Sequence, residues 1–280
     1  MTDWEREFPA PAKLNLMLHV VGRRADGYHL LQSVFRLIDL ADTLRFEPRA
    51  AGAVRLVDPL PGVPEEHDLS VRAAVRLRQA AGVRRGITLR RIKRVPMGGG
   101  LGGGSSNAAT VLLALNRLWG LDWTRERLRA IALELGADVP FFIYGENAFV
   151  EGVGERLRPL AVPPAWYAVI HPGVAISTRE VFADPGLTRD TKPIKMAALP
   201  TAPGRNDLQS AVCARHPQVR RAIEWLARSG DARMTGSGAC VFAAFEEQCQ
   251  ARSVLDGMPA EWTGWVARGL ERHPLREWAR

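Results

Sequence analysis

Six of the seven residues from Gly98 to Gly104 are glycine, in the run Met97-Gly-Gly-Gly-Leu-Gly-Gly-Gly-Ser-Ser-Asn107. Each glycine costs roughly 0.5–1 kcal/mol of extra ordering entropy. The six together cost about 3–6 kcal/mol, against a domain stability of about 5–15 kcal/mol. A bare backbone wrapped around an anion offsets such a cost, with its N–H groups turned inward and a helix N-terminus behind it. The chemistry on offer is the holding of a phosphate, and first among phosphates that of a nucleotide. A flexible linker is the plainer alternative. Linkers lie in polar, low-complexity sequence, whereas this run lies between two patterned segments.

A phosphoryl group held by backbone also needs positive charge. The phosphate loop G-x-x-x-x-G-K-[ST] supplies a lysine that this run lacks, so the charge must come from elsewhere in the chain. Of 38 basic residues only Lys13, Lys93, Lys192 and Lys195 are lysine. Where arginine is so preferred, a retained lysine marks a need for a compact, flexible ammonium. Lys93 sits just before the glycine run. Lys13 sits in Pro9-Ala-Pro-Ala-Lys-Leu-Asn-Leu-Met-Leu18, where Leu14, Leu16 and Leu18 alternate with Lys13, Asn15 and Met17. That alternation predicts a strand with one apolar face. Composition alone makes Lys13 a solvated strand position.

The elements around the run follow from periodicity. Ile87–Val95 reads as a strand closed by Pro96. Ala108, Val111, Leu112, Leu115, Leu118 and Trp119 fall at helical spacing. Ser105, Ser106 and Asn107 are candidate caps for that helix, and Gly120 is its natural stop. A second helix follows, capped by Thr124, with Leu128, Ile131, Ala132 and Leu135 as its stripe and Gly136 as its end. Gly98-x-Gly100-x-x-Gly103 matches the dinucleotide fingerprint, but that fold needs a second strand ending in an acid after the helix. Asp122 lies at the right distance but between two helices.

Four separated stretches together resemble the GHMP family of small-molecule kinases, named for galactokinase, homoserine kinase, mevalonate kinase and phosphomevalonate kinase. They are Pro11-Ala-Lys-Leu-Asn-Leu16 with Asp26-Gly-Tyr-His29; Pro96–Ala109; Gly136-Ala-Asp-Val-Pro140; and Met234-Thr-Gly-Ser-Gly-Ala-Cys-Val-Phe242. The resemblance implies an α+β, two-domain fold. The first domain would be like the second domain of ribosomal protein S5 and the second ferredoxin-like. It implies ATP, carrying Mg²⁺, as phosphoryl donor. The first pair of stretches narrows the acceptor to a small molecule, the 2-hydroxyl of 4-diphosphocytidyl-2-C-methyl-D-erythritol, in the non-mevalonate route to isoprenoid precursors. Homoserine or mevalonate is the alternative acceptor.

The resemblance also assigns residues. Asp138 would take the proton from the acceptor hydroxyl, and its place between Gly136 and Pro140 suits a rigid turn. Lys13 would lie beside it, keep it ionised and stabilise charge on the transferred group. ATP would be held by Pro96, Met97, Gly98, Gly99, Gly100, Leu101, Gly102, Gly103, Gly104, Ser105 and Ser106, with Lys93 and Asp68 at the adenine side beside Leu69. Family members commonly carry Asn-Leu where this chain has Asp68-Leu69, and Asp accepts a hydrogen bond from the adenine amino group but cannot donate one. Asn15 would position the hydroxyl. Tyr28 and His29 would hold cytosine, by stacking and by reading the base edge, with Thr178 and Phe182 as the far wall. Gly236, Ser237 and Gly238 would approach the phosphates from the second domain, or form a turn before an apolar strand over 239–245. Asn206-Asp207 matches a family position to which no role is assigned. The Mg²⁺ ligands are not specified by any motif, though Ser105 and Ser106 offer hydroxyls.

Length allows one large or two modest domains. Pro159–Pro164 is the expected boundary, giving domains over 1–160 and 161–280. Apolar residues make up 46% of the chain, as in ordinary globular proteins. The net charge of +8 raises the alternative of nucleic-acid binding. The arginines are dispersed, however, and the doublets Arg84-Arg85, Arg90-Arg91 and Arg220-Arg221 read as solvated faces. A positive field also attracts polyphosphates. The charged start Met1–Glu7 has no apolar h-region, which predicts no secretory leader. No run reaches the roughly 18 apolar residues of a membrane span. Three cysteines without metal-type spacing fit a reduced, cytoplasmic setting. Oligomeric state has no sequence signature here.

Overall fold

The computed structural model describes residues 3–50, 52–199 and 204–280. Met1 and Thr2 of the charged start lie outside the described residues. The fold grows from one long antiparallel hairpin, β1 (Phe8–Arg23) and β2 (His29–Arg49), turned at residues 24–28. Next come β3 (Val54–Leu56), α1 (Leu69–Ala81), β4 (Gly86–Ile92), α2 (Gly103–Leu118), α3 (Arg125–Leu135) and α4 (Val139–Tyr144). After them lie β5 (Ala148–Gly152), β6 (Arg156–Pro159), β7 (Trp166–His171), α5 (Thr178–Ala183), α6 (Gln209–Arg215) and α7 (Pro217–Leu226). The last elements are β8 (Arg233–Met234), β9 (Val241–Phe245), α8 (Gln248–Asp256) and β10 (Thr263–Leu270).

The sheet runs β3-β4-β2-β10-β7-β9-β8, with β5 also on β2 and β6 on β5. Among the strand pairings of the described residues, only β3–β4 is parallel. β10 pairs with β2 on one side and β7 on the other, so it joins the two halves of the chain. One core gathers Phe8, Phe35, Leu44 and Phe46 with Leu112, Leu115, Leu128 and Phe141, and Leu275 and Ala279 return to it from the C-terminus. A second packs Leu18 and Val20 with Ile170, Val219, Leu226, Val241 and Trp262. A third, around Leu14, Ile38, Leu101, Val169 and Phe242, lies where the halves meet.

β1 is the strand that matters for the site. Among the strands of the described residues it pairs with β2, so its other edge has no strand partner, a liability unless something covers it. Here the rest of the chain covers it. Hydroxyls of α2 reach its carbonyls, Ser106 Oγ to Pro11 O at 2.6 Å and Thr110 Oγ1 to Pro9 O at 3.4 Å. The Lys13 amide donates to Leu101 O at 3.0 Å, and the Asn15 amide to Thr235 Oγ1 at 2.9 Å. The Leu18 amide donates to Arg205 O, and the Val20 amide to Asp207 Oδ2. The edge that would template aggregation instead gathers the glycine run, the 235–238 loop and the 205–207 segment. This also corrects the expected one-sided strand. Lys13, Asn15 and Met17 are as buried as Leu14 and Leu18, because both faces of β1 are covered and bulges at Pro11/Ala12 and Asn15/Met17 shift the alternation.

Two further expectations change. β4 stops at Ile92 rather than Val95, because the Arg94 and Val95 amides turn to the buried carboxylate of Asp42. The helix after the glycine run begins at Gly103, with Gly102 as its N-cap and no side-chain cap, so Ser105, Ser106 and Asn107 lie inside it. Thr124 does cap α3, accepting from the Arg127 amide, and Gly120 lies just past the end of α2.

Candidate active site

A cavity of about 590 Å³ opens where the covered edge of β1 meets both halves of the chain. Its lining includes Lys13, Asn15, Asp68, Leu69, Lys93, Asp138, Thr178 and Phe182. It also includes Pro96–Ser105 and Gly236–Gly238. Residues from six stretches of sequence therefore face one space. Tyr28 and His29 do not line it. Tyr28 is exposed on the hairpin turn, and His29 stacks on Phe182 with ring centroids 4.9 Å apart.

The glycine run has two uses. Its first part is closed against the 235–240 segment: the Ala239 amide donates to Gly98 O at 3.0 Å and the Cys240 amide to Gly99 O at 3.1 Å. Those amides are thereby lost to the strand expected over 239–245, and β9 begins only at Val241. Gly100 has φ +72°, and a Cβ there would overlap the carbonyl oxygen of Thr235. Its second part enters α2. The first amides of a helix have no intrahelical partner, and here no side chain caps them. They face the cavity with the positive end of a 16-residue helix behind them. Gly102 at φ +70° lies against the Phe142 ring and the Lys13 stem, which leave no slack for a side chain.

Lys13 is 3% exposed. Its ammonium lies 3.6 Å from Asp138 Oδ2, donates to Asn15 Oδ1, and sits 4.7 Å from the centre of the Phe35 ring. Burial pulls its pKa down from the usual lysine range, and Asp138 pulls it back up. Asp138 occupies the turn between α3 and α4, as its surroundings predicted, and keeps a third of its side chain open. Asn15 is locked in turn: its amide nitrogen donates to Ser33 Oγ at 2.9 Å. Asn206 Nδ2 donates to both Met234 O and Gly236 O at 2.8 Å, which pins the small-residue loop. Thr178 and Ser237 share a hydrogen bond at 2.7 Å across the cavity wall.

At the opposite end, the lysine and the acid expected near adenine are both committed to protein partners. Lys93 pairs with Asp42 at 2.8 Å and also donates to Val95 O. Burial lowers its pKa, and Asp42 opposes the fall. Asp68 caps α1 by accepting from the Ser70 amide, and its other oxygen lies 2.9 Å from Arg91. Arg91 is therefore no solvated face. It is buried, unlike the other five arginines of the doublets. Ser106 is also turned away from the cavity toward Pro11, so of the two serines Ser105 is the one on the lining.

Residue patterns did not mark Asp42, Ser33, Phe35, Arg91 or Thr235. Asp42 had a signal: it is an acid inside the apolar run Leu37-Ile-Asp-Leu-Ala-Asp-Thr-Leu44. It accepts from the Arg94 and Val95 amides, Asn107 Nδ2 and Lys93, and so ties β2, the strand exit and α2 at one point.

Known proteins share this sequence and fold. The family model described as GHMP kinases N terminal domain matches residues 68–146, and that described as GHMP kinases C terminal matches residues 195–264. A 4-diphosphocytidyl-2-C-methyl-D-erythritol kinase of Nitrosospira multiformis is 58% identical over 98% of this chain and 95% of its own length. A protein of the same name from Thiobacillus denitrificans is 59% identical over 96% of each. The crystal structure of a 4-(cytidine 5'-diphospho)-2C-methyl-D-erythritol kinase superposes with a TM-score of 0.82 at 35% identity, covering 94% of this chain and 99% of that one. The α+β, two-domain architecture is that of these enzymes. The chain belongs to the GHMP kinase family, in its branch of 4-diphosphocytidyl-2-C-methyl-D-erythritol kinases.

Proposed function

We propose that this chain transfers the γ-phosphoryl group of ATP to the 2-hydroxyl of 4-diphosphocytidyl-2-C-methyl-D-erythritol. The relatives that carry this name span nearly its whole length at more than half identity. The observation that carries the chemistry is the buried Lys13 ammonium 3.6 Å from the Asp138 carboxylate, beside the uncapped start of α2. Phosphoryl transfer asks mostly for positioning and charge stabilisation. The amides at Gly102–Ser105 hold the phosphates. Asp138, a third open, takes the proton of the acceptor hydroxyl. Lys13 stays with the carboxylate and compensates the negative charge that gathers on the transferred group. Asn15, fixed by Ser33 and Lys13, sets the hydroxyl on line with the phosphorus.

Mg²⁺ bound with the ATP would supply charge neutralisation on the phosphates. Among the described residues no three His, Cys, Asp or Glu side chains gather into a metal cage. That suits a hard cation that is held by phosphates, water and few protein oxygens. Ser105, at the start of α2, and Asp138, beside Lys13, are the oxygen donors on the lining that would serve it. Cytosine is held at the other end by Tyr28, His29, Phe182 and Thr178. The exposed Tyr28 ring stacks on the base; such stacking contributes about 1–3 kcal/mol.

Coupled ADP-release assays with the cytidine diphosphate substrate, homoserine and mevalonate test the reading. The first is expected to exceed the others in kcat/KM by at least about 10²-fold, with CMP competing against the acceptor. Comparable turnover of homoserine or mevalonate, or no competition by CMP, overturns it.

A further inference from the structure

We propose that Arg189 is a positioning residue: it fixes the tautomer of His29 and thereby makes the pyrimidine end of the acceptor site choose cytosine over uracil. The proposal rests on the cytidine reading above and deepens it. Arg189 follows α5 and is half-buried. Its Nη2 donates to Phe182 O at 3.0 Å and Asp184 O at 2.6 Å, and its Nη1 donates to Leu187 O at 2.9 Å. Three backbone carbonyls thus hold the guanidinium in one plane. Of its two remaining N–H donors, the one on Nε is aimed at His29 Nε2, 3.1 Å away.

A guanidinium has donors and no acceptor. The nitrogen that faces it must present a lone pair, so the single proton of a neutral imidazole sits on Nδ1. Neutrality is also set locally. Burial and the positive charges of Arg189 and Arg23 push the His29 pKa below the usual histidine value. The nearby acid of the hairpin turn, Asp26, is paired with Arg24 at 2.7 Å. Arg189 controls both rings of the wall, because the carbonyl it grips belongs to Phe182, the residue on which His29 stacks at 28°.

The consequence is a donor of fixed identity at a base-reading position. Cytosine carries acceptors at N3 and O2, and uracil carries an N–H at N3. An Nδ1–H donor satisfies the first and meets a second donor in the other. Sites built around one hydrogen bond reject analogues that cannot complete it far more strongly than apolar pockets reject a misfit.

The test reads the tautomer directly and the selectivity separately. Imidazole ¹⁵N shifts of the full-length protein, with His29 assigned through His29→Gln, are expected to show Nδ1–H at pH 7. CMP is expected to bind at least about 30-fold more tightly than UMP. In Arg189→Met the proton is expected to move to Nε2. The CMP/UMP preference should fall below about threefold, and the KM of the cytidine diphosphate substrate should rise about tenfold with kcat within about threefold. Wild-type His29 protonated on Nε2 overturns the proposal without touching the kinase reading. So does a folded Arg189→Met that keeps its CMP/UMP preference. Failure of the wild type to bind CMP overturns the cytidine reading instead, and the recognition half of this proposal with it.

Discussion

Asp138 and Asp68 are both aspartates lining one cavity, and their surroundings give them different work. Asp138 has one ammonium neighbour and an open face. In Asp138→Asn the amide cannot take the acceptor proton, so kcat is expected to fall by about 10²–10⁴-fold. The phosphates are held by α2 and not by Asp138, so the Kd of ATP, measured by calorimetry, should stay within about threefold. A loss of ATP affinity comparable to the loss of kcat would assign Asp138 to binding. Asp68 is closed in on both sides, capping α1 with one oxygen and balancing Arg91 with the other. Asparagine would keep the cap, because its side-chain oxygen still accepts from Ser70. It would strand the guanidinium, whose Nη2 already has no partner. Breaking a buried pair from one side costs about 3–5 kcal/mol, and Asp68→Asn should lower urea-unfolding stability by that order. Adding Arg91→Met should recover most of it. No recovery would mean that the cap, and not the charge, is what the carboxylate provides.

Elements deliver these residues by sharing backbone partners, and that decides what a sequence reader can see. The stripes of α2 and α3 follow helical spacing, and Thr124 caps α3 as its type suggests. Lys13 and Asp138 are singled out by the family resemblance rather than by their local patterns, and the fold brings them within 3.6 Å. The starts of α2 and β9 escape the same rules for one reason. A cap rule assumes that side chains satisfy a helix's first amides, and α2 leaves them to the cavity. A strand rule assumes that amides pair within a sheet, and those of Ala239 and Cys240 go to the glycine run. Arg91 escapes because alternation along β4 does not say which face α1 will cover. The C-terminal segment 271–280 carries no motif at all, yet it closes the first core. His273 is fully buried there, its amide on Gly145 O and its Nδ1 accepting from the Leu275 amide. Burial, with the nearby charge of Arg125, pushes its pKa down to about 3. The unfolded chain takes up that proton near pH 6.5 and the folded chain does not. Stability from this group is therefore complete above pH 6.5 and is lost as pH falls toward 3. Between pH 7 and 5 the loss is about 2 kcal/mol, at 1.36 kcal/mol for each pH unit below 6.5. Urea unfolding at the two pH values should show this drop in the wild type and not in His273→Asn; equal drops would move the effect to other groups.

At the scale of the whole molecule, the charge that suggests an anion-binding protein is not what meets the anion. The net +8 is spread over the surface, where many arginines sit in exposed pairs such as Arg45–Glu7, Arg76–Glu134 and Arg90–Glu47. Inside the cavity the Lys and Arg side chains on the lining are Lys13, Arg91 and Lys93, and each is paired with an aspartate: Asp138, Asp68 and Asp42. The side-chain charge of these three pairs sums to zero. Attraction for the phosphates then rests on the amides and dipole at the start of α2, whose field falls off within about one helical turn. Such short-range contacts lie well inside the Debye length of about 10 Å at 0.1 M salt, so mobile ions screen them little. A nucleic-acid surface behaves in the opposite way, because each phosphate neutralised releases counterions and affinity collapses by about 10³–10⁵-fold between 50 and 200 mM salt. With Mg²⁺ in fixed excess, raising KCl over that range should therefore change the KM of ATP by less than about threefold. The same titration followed by filter binding to RNA provides the contrast. A KM that climbs steeply with salt would show that unpaired surface cations, and not the covered edge of β1 and the helix it recruits, bring the nucleotide in.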